Sequence, residues 1–313
     1  MPLEWLYRRQ VMLLVRLLPH IAKEDCFALK GGTAINLFVR NMPRLSVDID
    51  LTYLPILSRD ESLTAIDAAM KRIAGRIRKA FPKAIVTPSR TPPETAVIKL
   101  LVRSAEVQVK IEVTPVLRGC VYEPTLRSVA PSVEATFGFA EIRVVSFADL
   151  YAGKIVAALD RQHPRDLFDV RDLLGSEGID DALRRAFIVY LLSHNRPMAE
   201  LLGPVRKSIT EEFLRGFAGM TPEPVAAQDL EMAREALIRS VVGRMPEPHR
   251  HFLLSFERGT PDWPLLGVPA ARDLPAVRWR QRNLDLLGAD ARTALVAKLQ
   301  AVLFPMPVVT GSN

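Results

Sequence analysis

Cysteine is scarce: the 313 residues contain only Cys26 and Cys120. They form neither a CxxC pair nor any metal-ligand spacing, which excludes a disulfide scaffold and a cysteine-based zinc site and makes a reducing cytoplasm the default compartment. Long hydrophobic runs are also missing. The stretch Val11-Met-Leu-Leu-Val15 is cut by Arg16 and precedes no small-residue cleavage site, so it reads as an amphipathic helix rather than a signal peptide. No run reaches the roughly 18 apolar residues that a membrane span needs, and internal repeats are lacking. These absences predict a cytoplasmic protein with no membrane partner.

What is present is an ordinary globular balance, 49% hydrophobic and 25% charged, far from a disordered composition. The length suits one large domain or two domains sharing a cleft. Lys and Arg outnumber Asp and Glu by 42 to 35, a net charge of +7 with a pI near 9.6. A basic surface accumulates polyanions, so this balance leans toward a nucleotide or nucleic acid as partner.

Residues 3–23 have helical periodicity. A short apolar run, Cys26 to Leu29, then meets Gly31-Gly32 and a second helical stretch through Arg40. Ser46 to Tyr53 alternates as a strand, with Ser46, Asp48 and Asp50 on one face and Val47, Ile49 and Leu51 on the other. A helix is predicted over Asp60–Phe81, and strands over about Ala96–Arg103 and Val107–Thr114 around a turn at Ser104-Ala105-Glu106. In the second strand Val107, Val109, Ile111 and Val113 should face inward, and Gln108, Lys110, Glu112 and Thr114 outward. A last strand, Glu141–Val145, leads into a helix from Phe147 to about Asp160. Beyond it the pattern is helical and broken by prolines, and the end, Pro305–Asn313, is expected to fray. The fold class is therefore α/β (α+β): a mixed-sheet domain over residues 1–155, followed by a mainly helical domain over 156–313.

Two carboxylates at i and i+2 of a strand share a face, with α-carbons about 7 Å apart, so both can converge on the same metal ions. That suits divalent-metal phosphoryl chemistry, in which one ion holds a triphosphate and a second, roughly 4 Å away, activates the attacking hydroxyl. Glu112, on the polar face of a strand able to pair beside Ser46–Tyr53, is the candidate third acid. Upstream, Gly31-Gly32-Thr33 opens a helix, where free backbone N–H groups and the dipole receive phosphate and Thr33 adds a hydroxyl. Each part alone has a plainer reading, a solvated strand face or an ordinary turn. Their order along the chain argues for the functional one.

That order resembles the nucleotidyltransferase superfamily with its GG[ST]…DxD signature. More closely, Leu29-Lys30-Gly31-Gly32-Thr33 with Arg44-Leu-Ser46-Val-Asp48-Ile-Asp50 is similar to the AbiEii/AbiGii (MenT-like) toxins of type IV toxin–antitoxin systems. Leu150-Tyr-Ala-Gly-Lys154 followed by Arg165-Asp166-Leu-Phe-Asp169 resembles that family's later Lys and Asp motifs. Pro261-Asp-Trp263 and Leu274-Pro-Ala-Val-Arg-Trp279 resemble its carboxyl-terminal region. The resemblance implies that Gly32 and Thr33 hold phosphate, that Gly31 and Ser46 belong with them to the nucleotide-binding set, and that Asp48 and Asp50 hold Mg²⁺ or Mn²⁺. It makes Lys154 the neutraliser of triphosphate charge and Asp166 a later essential acid, which positions that lysine or assists the attacking group. It also implies an NTP substrate, an acceptor at the 3′ end of tRNA, growth arrest, and a cognate AbiEi-like antitoxin. Transfer to a protein or small molecule, and a non-catalytic nucleotide-binding module, are the alternatives.

The remaining signals carry less. Lys71, Arg72, Arg76, Arg78, Lys79 and Lys83 form a run without an acid from 71 to 83, which suits either an RNA backbone or a solvated helix face. His249 and His251 lack the companions of a zinc site and suit a surface or interdomain contact. Trp263 and Trp279 are expected in the core rather than as stacking platforms.

Overall fold

The computed structural model describes residues 3–90 and 96–305. The amphipathic helix α1 (Leu3–Ile21) precedes strand β1 (Phe27–Lys30), which runs straight into the single turn α2 (Gly31–Ala34) and a π-helical turn at Ile35–Val39. Next come β2 (Asp48–Tyr53), α3 (Arg59–Ala80), β3 (Ile85–Arg90), β4 (Val97–Ser104), β5 (Val107–Arg118), β6 (Thr125–Ser128), α4 (Pro131–Phe137) and β7 (Glu141–Val144). Every later element among the described residues is helical. These are α5 (Phe147–Asp160), α6 (Pro164–Gly175), α7 (Asp181–Leu192), α8 (Met198–Leu202), α9 (Thr210–Gly216), α10 (Ala227–Ile238), α11 (Glu247–Glu257), α12 (Pro275–Asp285) and α13 (Ala289–Leu303), with short π and 3-10 turns between them. No helix among the described residues is long and apolar enough to cross a membrane.

The strands form one seven-stranded mixed sheet in the order β3-β4-β5-β2-β1-β7-β6. β2 pairs in parallel with β5 and β1 in parallel with β7, and the other neighbours are antiparallel. The period-2 pattern of β5 is realised: Val107, Val109, Ile111 and Val113 are buried while Gln108, Lys110, Glu112 and Thr114 are open or half-open. The helices α1 and α3 pack on β4 and β5 and on each other. The core stripe of α3, Ile66, Ala69, Met70, Ile73 and Ile77, recurs at helical spacing, and Ser58 with Glu61 closes its start as a capping box.

Several expectations shift. The strand holding the aspartates begins at Asp48, so Ser46 and Val47 lie in the preceding loop. The strands β3 and β6 were not legible, because both are sheet edges: β3 carries Pro88 and is largely exposed, and β6 is exposed at every residue. Trp263 packs against Phe252 and Phe256, whereas Trp279 is 51% exposed on α12 and is not a core residue. The basic run on α3 is largely engaged within the chain: Arg72 and Arg76 both reach buried Glu24 at 2.6 Å, Lys71 pairs with Asp67 at 2.6 Å, and Arg78 donates to the Val86 carbonyl. The expected boundary at residue 155 falls within α5. The expected fraying of the end lies, beyond Pro305, outside the described residues.

Candidate active site

One row across the sheet sets the chemistry. The register aligns Lys99 on β4, Glu112 on β5, Asp50 on β2 and Lys30 on β1, and the neighbouring row aligns Asp48 with Lys110. Side chains at i and i+2 of a strand share a face, so Asp48 and Asp50 point the same way. The glycine turn lies against them. Gly31 has φ +76°, and a Cβ there would stand 2.8 Å from the Asp50 Oδ2; a Cβ on Gly32 would stand 2.7 Å from the Arg44 Nη2 and 3.1 Å from the Ser46 Oγ. Neither position accepts a side chain without moving the site. The buried Thr33 hydroxyl donates to the Asp48 carbonyl and lies 3.0 Å from the Ser46 Oγ, so it braces the aspartate strand from beneath.

Across from the sheet stands a charged cluster on α5 and α6. The Lys154 Nζ lies 2.8 Å from Asp166 and 3.0 Å from Asp169; Arg161 meets Asp166 at 2.6 Å. Asp169 also accepts Arg44 Nε at 2.8 Å, Arg44 Nη2 at 2.6 Å and Asn36 Nδ2 at 3.2 Å. Burial opposes the charge on both aspartates, but Lys154 with Arg161, and Arg44 with Lys154, outweigh it and hold both carboxyls below their ordinary range. The elbow between α5 and α6 is fixed by Gln162, which is buried at φ +54°. Its amide donates to the Val205 carbonyl at 2.7 Å and accepts from the Lys207 N–H and the Arg234 Nη1, each at 3.0 Å.

Between these walls lies a hollow of about 250 Å³. Gly32, Ser46, Asp48, Asp50 and Glu112 line it from the sheet side, and Lys154, Arg161, Arg165 and Asp166 from the helical side. Every residue that the sequence assigned to nucleotide, metal or catalysis lines this hollow except Gly31 and Thr33, which lie beneath. Arg44, Lys110, Arg161, His163 and Arg165 also reach the hollow, and Asp169 anchors it from behind. Arg44, Arg165 and Asp169 stood in the sequence only as members of the motifs around Ser46 and Asp166, with no role of their own, and Lys110 only as a polar-face neighbour of Glu112.

The donor chemistry of Asp48 and Asp50 fits a divalent cation. Among the described residues no hydrogen bond or ion pair engages either carboxylate, and burial, then the negative charges of Asp48 and Glu112, push the Asp50 carboxyl above its ordinary range against the pull of Lys110 and Lys30. A bound cation removes that deficit. Glu112, the expected third ligand, is engaged otherwise, by Lys110 at 2.9 Å and Lys99 at 3.4 Å. These partners overcome its burial and hold it below the ordinary carboxylate range. Among the described residues no three His, Cys, Asp or Glu side chains form a metal cage, so coordination by Glu112 requires those ion pairs to open.

The sequence model of the nucleotidyl transferase AbiEii toxin family, type IV toxin–antitoxin system, matches residues 12–282. Among solved structures the chain is similar to the nucleotidyltransferase toxin MenT4 of Mycobacterium tuberculosis, with a TM-score of 0.59 and 17% identity over 93% of this chain and 92% of that one. No curated protein matches the sequence.

Proposed function

Because the chain belongs to the AbiEii family of nucleotidyltransferase toxins of type IV toxin–antitoxin systems, we propose that the hollow between β2 and the α5–α6 elbow transfers a nucleotidyl group from an NTP to the 3′ end of tRNA. The observation that carries this reading is the opposition of two unpartnered carboxylates, Asp48 and Asp50, to the cations Lys154, Arg161 and Arg165 across one hollow. Such a site suits a substrate that is itself polyanionic and needs a bridging cation to meet carboxylates. In this reading the sheet front and the helical back form the two walls of a cleft in which nucleotide and acceptor meet.

The β- and γ-phosphates lie against the Gly32 turn and Ser46, where backbone N–H groups and Lys154 meet their charge. Asp48 and Asp50 would hold Mg²⁺ or Mn²⁺, which supplies charge neutralisation at the α-phosphate and eases loss of the attacking proton. The acceptor hydroxyl forms the new P–O bond at the α-phosphorus, the bond to the β-phosphate oxygen breaks, pyrophosphate leaves, and the hydroxyl proton passes to solvent. Asp166 is a positioning residue: two cations hold it ionised, which makes it a weak base and a strong anchor for Lys154. Catalysis is then mainly orientation and charge neutralisation. The AbiEi-like antitoxin is the partner that opposes this activity, and the cytoplasm is where NTP and tRNA are both available.

The test is incubation of the purified protein with total RNA, Mg²⁺ and each labelled NTP in turn. A tRNA-sized band is expected, with one or two nucleotides preferred, because a pocket that hydrogen-bonds a base discriminates steeply. Periodate destroys the terminal 2′,3′-diol and should abolish labelling. Label that survives periodate, or that appears on protein or a small molecule, overturns the tRNA reading.

A further inference from the structure

A second hollow, of about 460 Å³, opens beside the first. The two adjoin along one strand face: Glu112 lines the first and Thr114, two residues on, lines the second. Its size falls within the range of about 300–1,000 Å³ usual for small-molecule sites. Its walls differ from those of the first. Val116, Pro275 and Ala276 give it an apolar floor, and Trp279 lines it while half exposed to solvent. At the rim of this apolar space Arg118 is 9% exposed and donates from Nη1 to the Ser58 carbonyl at 3.2 Å. Among the described residues its Nε is buried without a partner, and a second guanidinium, that of Arg59, lines the same hollow. A buried donor left unpaired costs stability unless an acceptor arrives. An open indole beside the buried Arg118 guanidinium has the chemistry of a nucleotide site, with a face for the base and a cation for its phosphate.

The sheet order says which nucleotide. The glycine turn follows β1, the aspartates sit on β2, and the second hollow begins on β5, so the turn and this hollow lie on opposite sides of Asp48 and Asp50. In an in-line displacement at phosphorus the attacking hydroxyl enters opposite the leaving pyrophosphate. With pyrophosphate on the glycine-turn side, the acceptor enters from the β5 side. Resting on the reaction proposed above, we propose that this hollow is the subsite for the terminal nucleoside of the RNA acceptor, its base stacked on Trp279 and its phosphate met by Arg118.

Binding of a dye-labelled short single-stranded RNA, with its 3′-terminal base present or replaced by an abasic residue, tests this without turnover. The wild-type protein is expected to prefer the base-bearing RNA by about 5- to 150-fold, the span of one base–aromatic stack. Trp279→Ala should bind both RNAs at the weaker level, and Trp279→Phe should keep most of the preference. Trp279 is half exposed, so an unchanged melting temperature in both variants shows that the fold is intact. Binding of ATP, measured alongside, should be the same in all three proteins. The proposal is overturned if the wild type does not distinguish the two RNAs, if Trp279→Ala keeps the preference, or if Trp279→Ala weakens ATP and not RNA, which would assign the hollow to the incoming nucleotide. Failure of the reaction itself is read separately, as absence of labelled RNA in the transfer assay.

Discussion

Replacing Asp169 with Asn keeps the shape of the side chain and one acceptor oxygen but removes the charge that balances two buried cations. Arg44 approaches it at 2.6 and 2.8 Å and Lys154 at 3.0 Å, and Asp169 is only 1% exposed, so water cannot take its place. Breaking one side of a buried pair costs roughly 3–5 kcal/mol, because the remaining charge is stranded. An unfolding entropy of about 2.1 cal/mol/K per residue over 313 residues makes Asp169→Asn melt about 5–8 °C below wild type near neutral pH. The melt should be repeated down an acid series. The Asp169 carboxyl lies below its ordinary value of 3.8 in the folded protein. Its stabilisation is therefore complete above that pH and is lost as the pH falls further toward the folded value. The gap between wild type and variant should thus be constant from neutrality to about pH 5 and close below about pH 4. A variant that melts within about 1 °C of wild type at neutral pH, or a gap indifferent to acid, would refute the charge argument for the cluster.

Removing either metal-binding candidate, Asp48→Ala or Asp50→Ala, should lower nucleotide transfer by about three orders of magnitude or more in a pyrophosphate-release assay. The melting temperature should hold or rise for Asp50, whose carboxyl is already disfavoured by burial. Ser46→Glu should abolish NTP binding by calorimetry, since it sets a negative charge beside Gly32 where the hollow is to receive phosphate; full activity would count against control of this site by charge. Replacing Arg72 and Arg76 together with Ala should lower stability by about 1–3 kcal/mol in urea titrations, by stranding Glu24, and leave the salt dependence of RNA binding unchanged. A flattened salt slope would restore the RNA reading of α3.

Local periodicity made the centre of the molecule legible. Alternation in Ser46–Tyr53 and Val107–Thr114 placed the carboxylates on one open face, and β5 did pair beside β2. Gly31-Gly32 marked a turn whose tightness follows from the approach of Asp50, Arg44 and Ser46. Where a partner came from far along the chain, periodicity was silent. Arg44 and Asp169 are 125 residues apart and meet only in the fold, and Glu24 pairs with Arg72 and Arg76 of a basic run that holds no acid of its own. Thr33 read as a phosphate ligand because a hydroxyl follows Gly-Gly, yet its oxygen is engaged by the Asp48 carbonyl and Ser46. Trp279 read as core because tryptophan usually is, but α12 presents it to a hollow formed with the far end of β5. Edge strands escaped notice for a related reason, since a strand with one neighbour and few buried residues carries no alternation to read.

The buried amide of Gln162 bears on the order in which a growing chain becomes dangerous. Lys154 and Asp166 flank this residue, and its three hydrogen bonds go to Val205, Lys207 and Arg234. A nascent chain can complete its sheet, glycine turn and aspartate pair while the groups that fix the elbow are still being synthesised. At about 5–20 residues per second the interval lasts several seconds. Through that interval Lys154 has its carboxylate partners, but the elbow that aims them lacks its clasp. A chain assembled in this sequence has its sheet and aspartate pair before its charges are fully aligned, and a truncated copy ending ahead of Val205 never acquires that alignment.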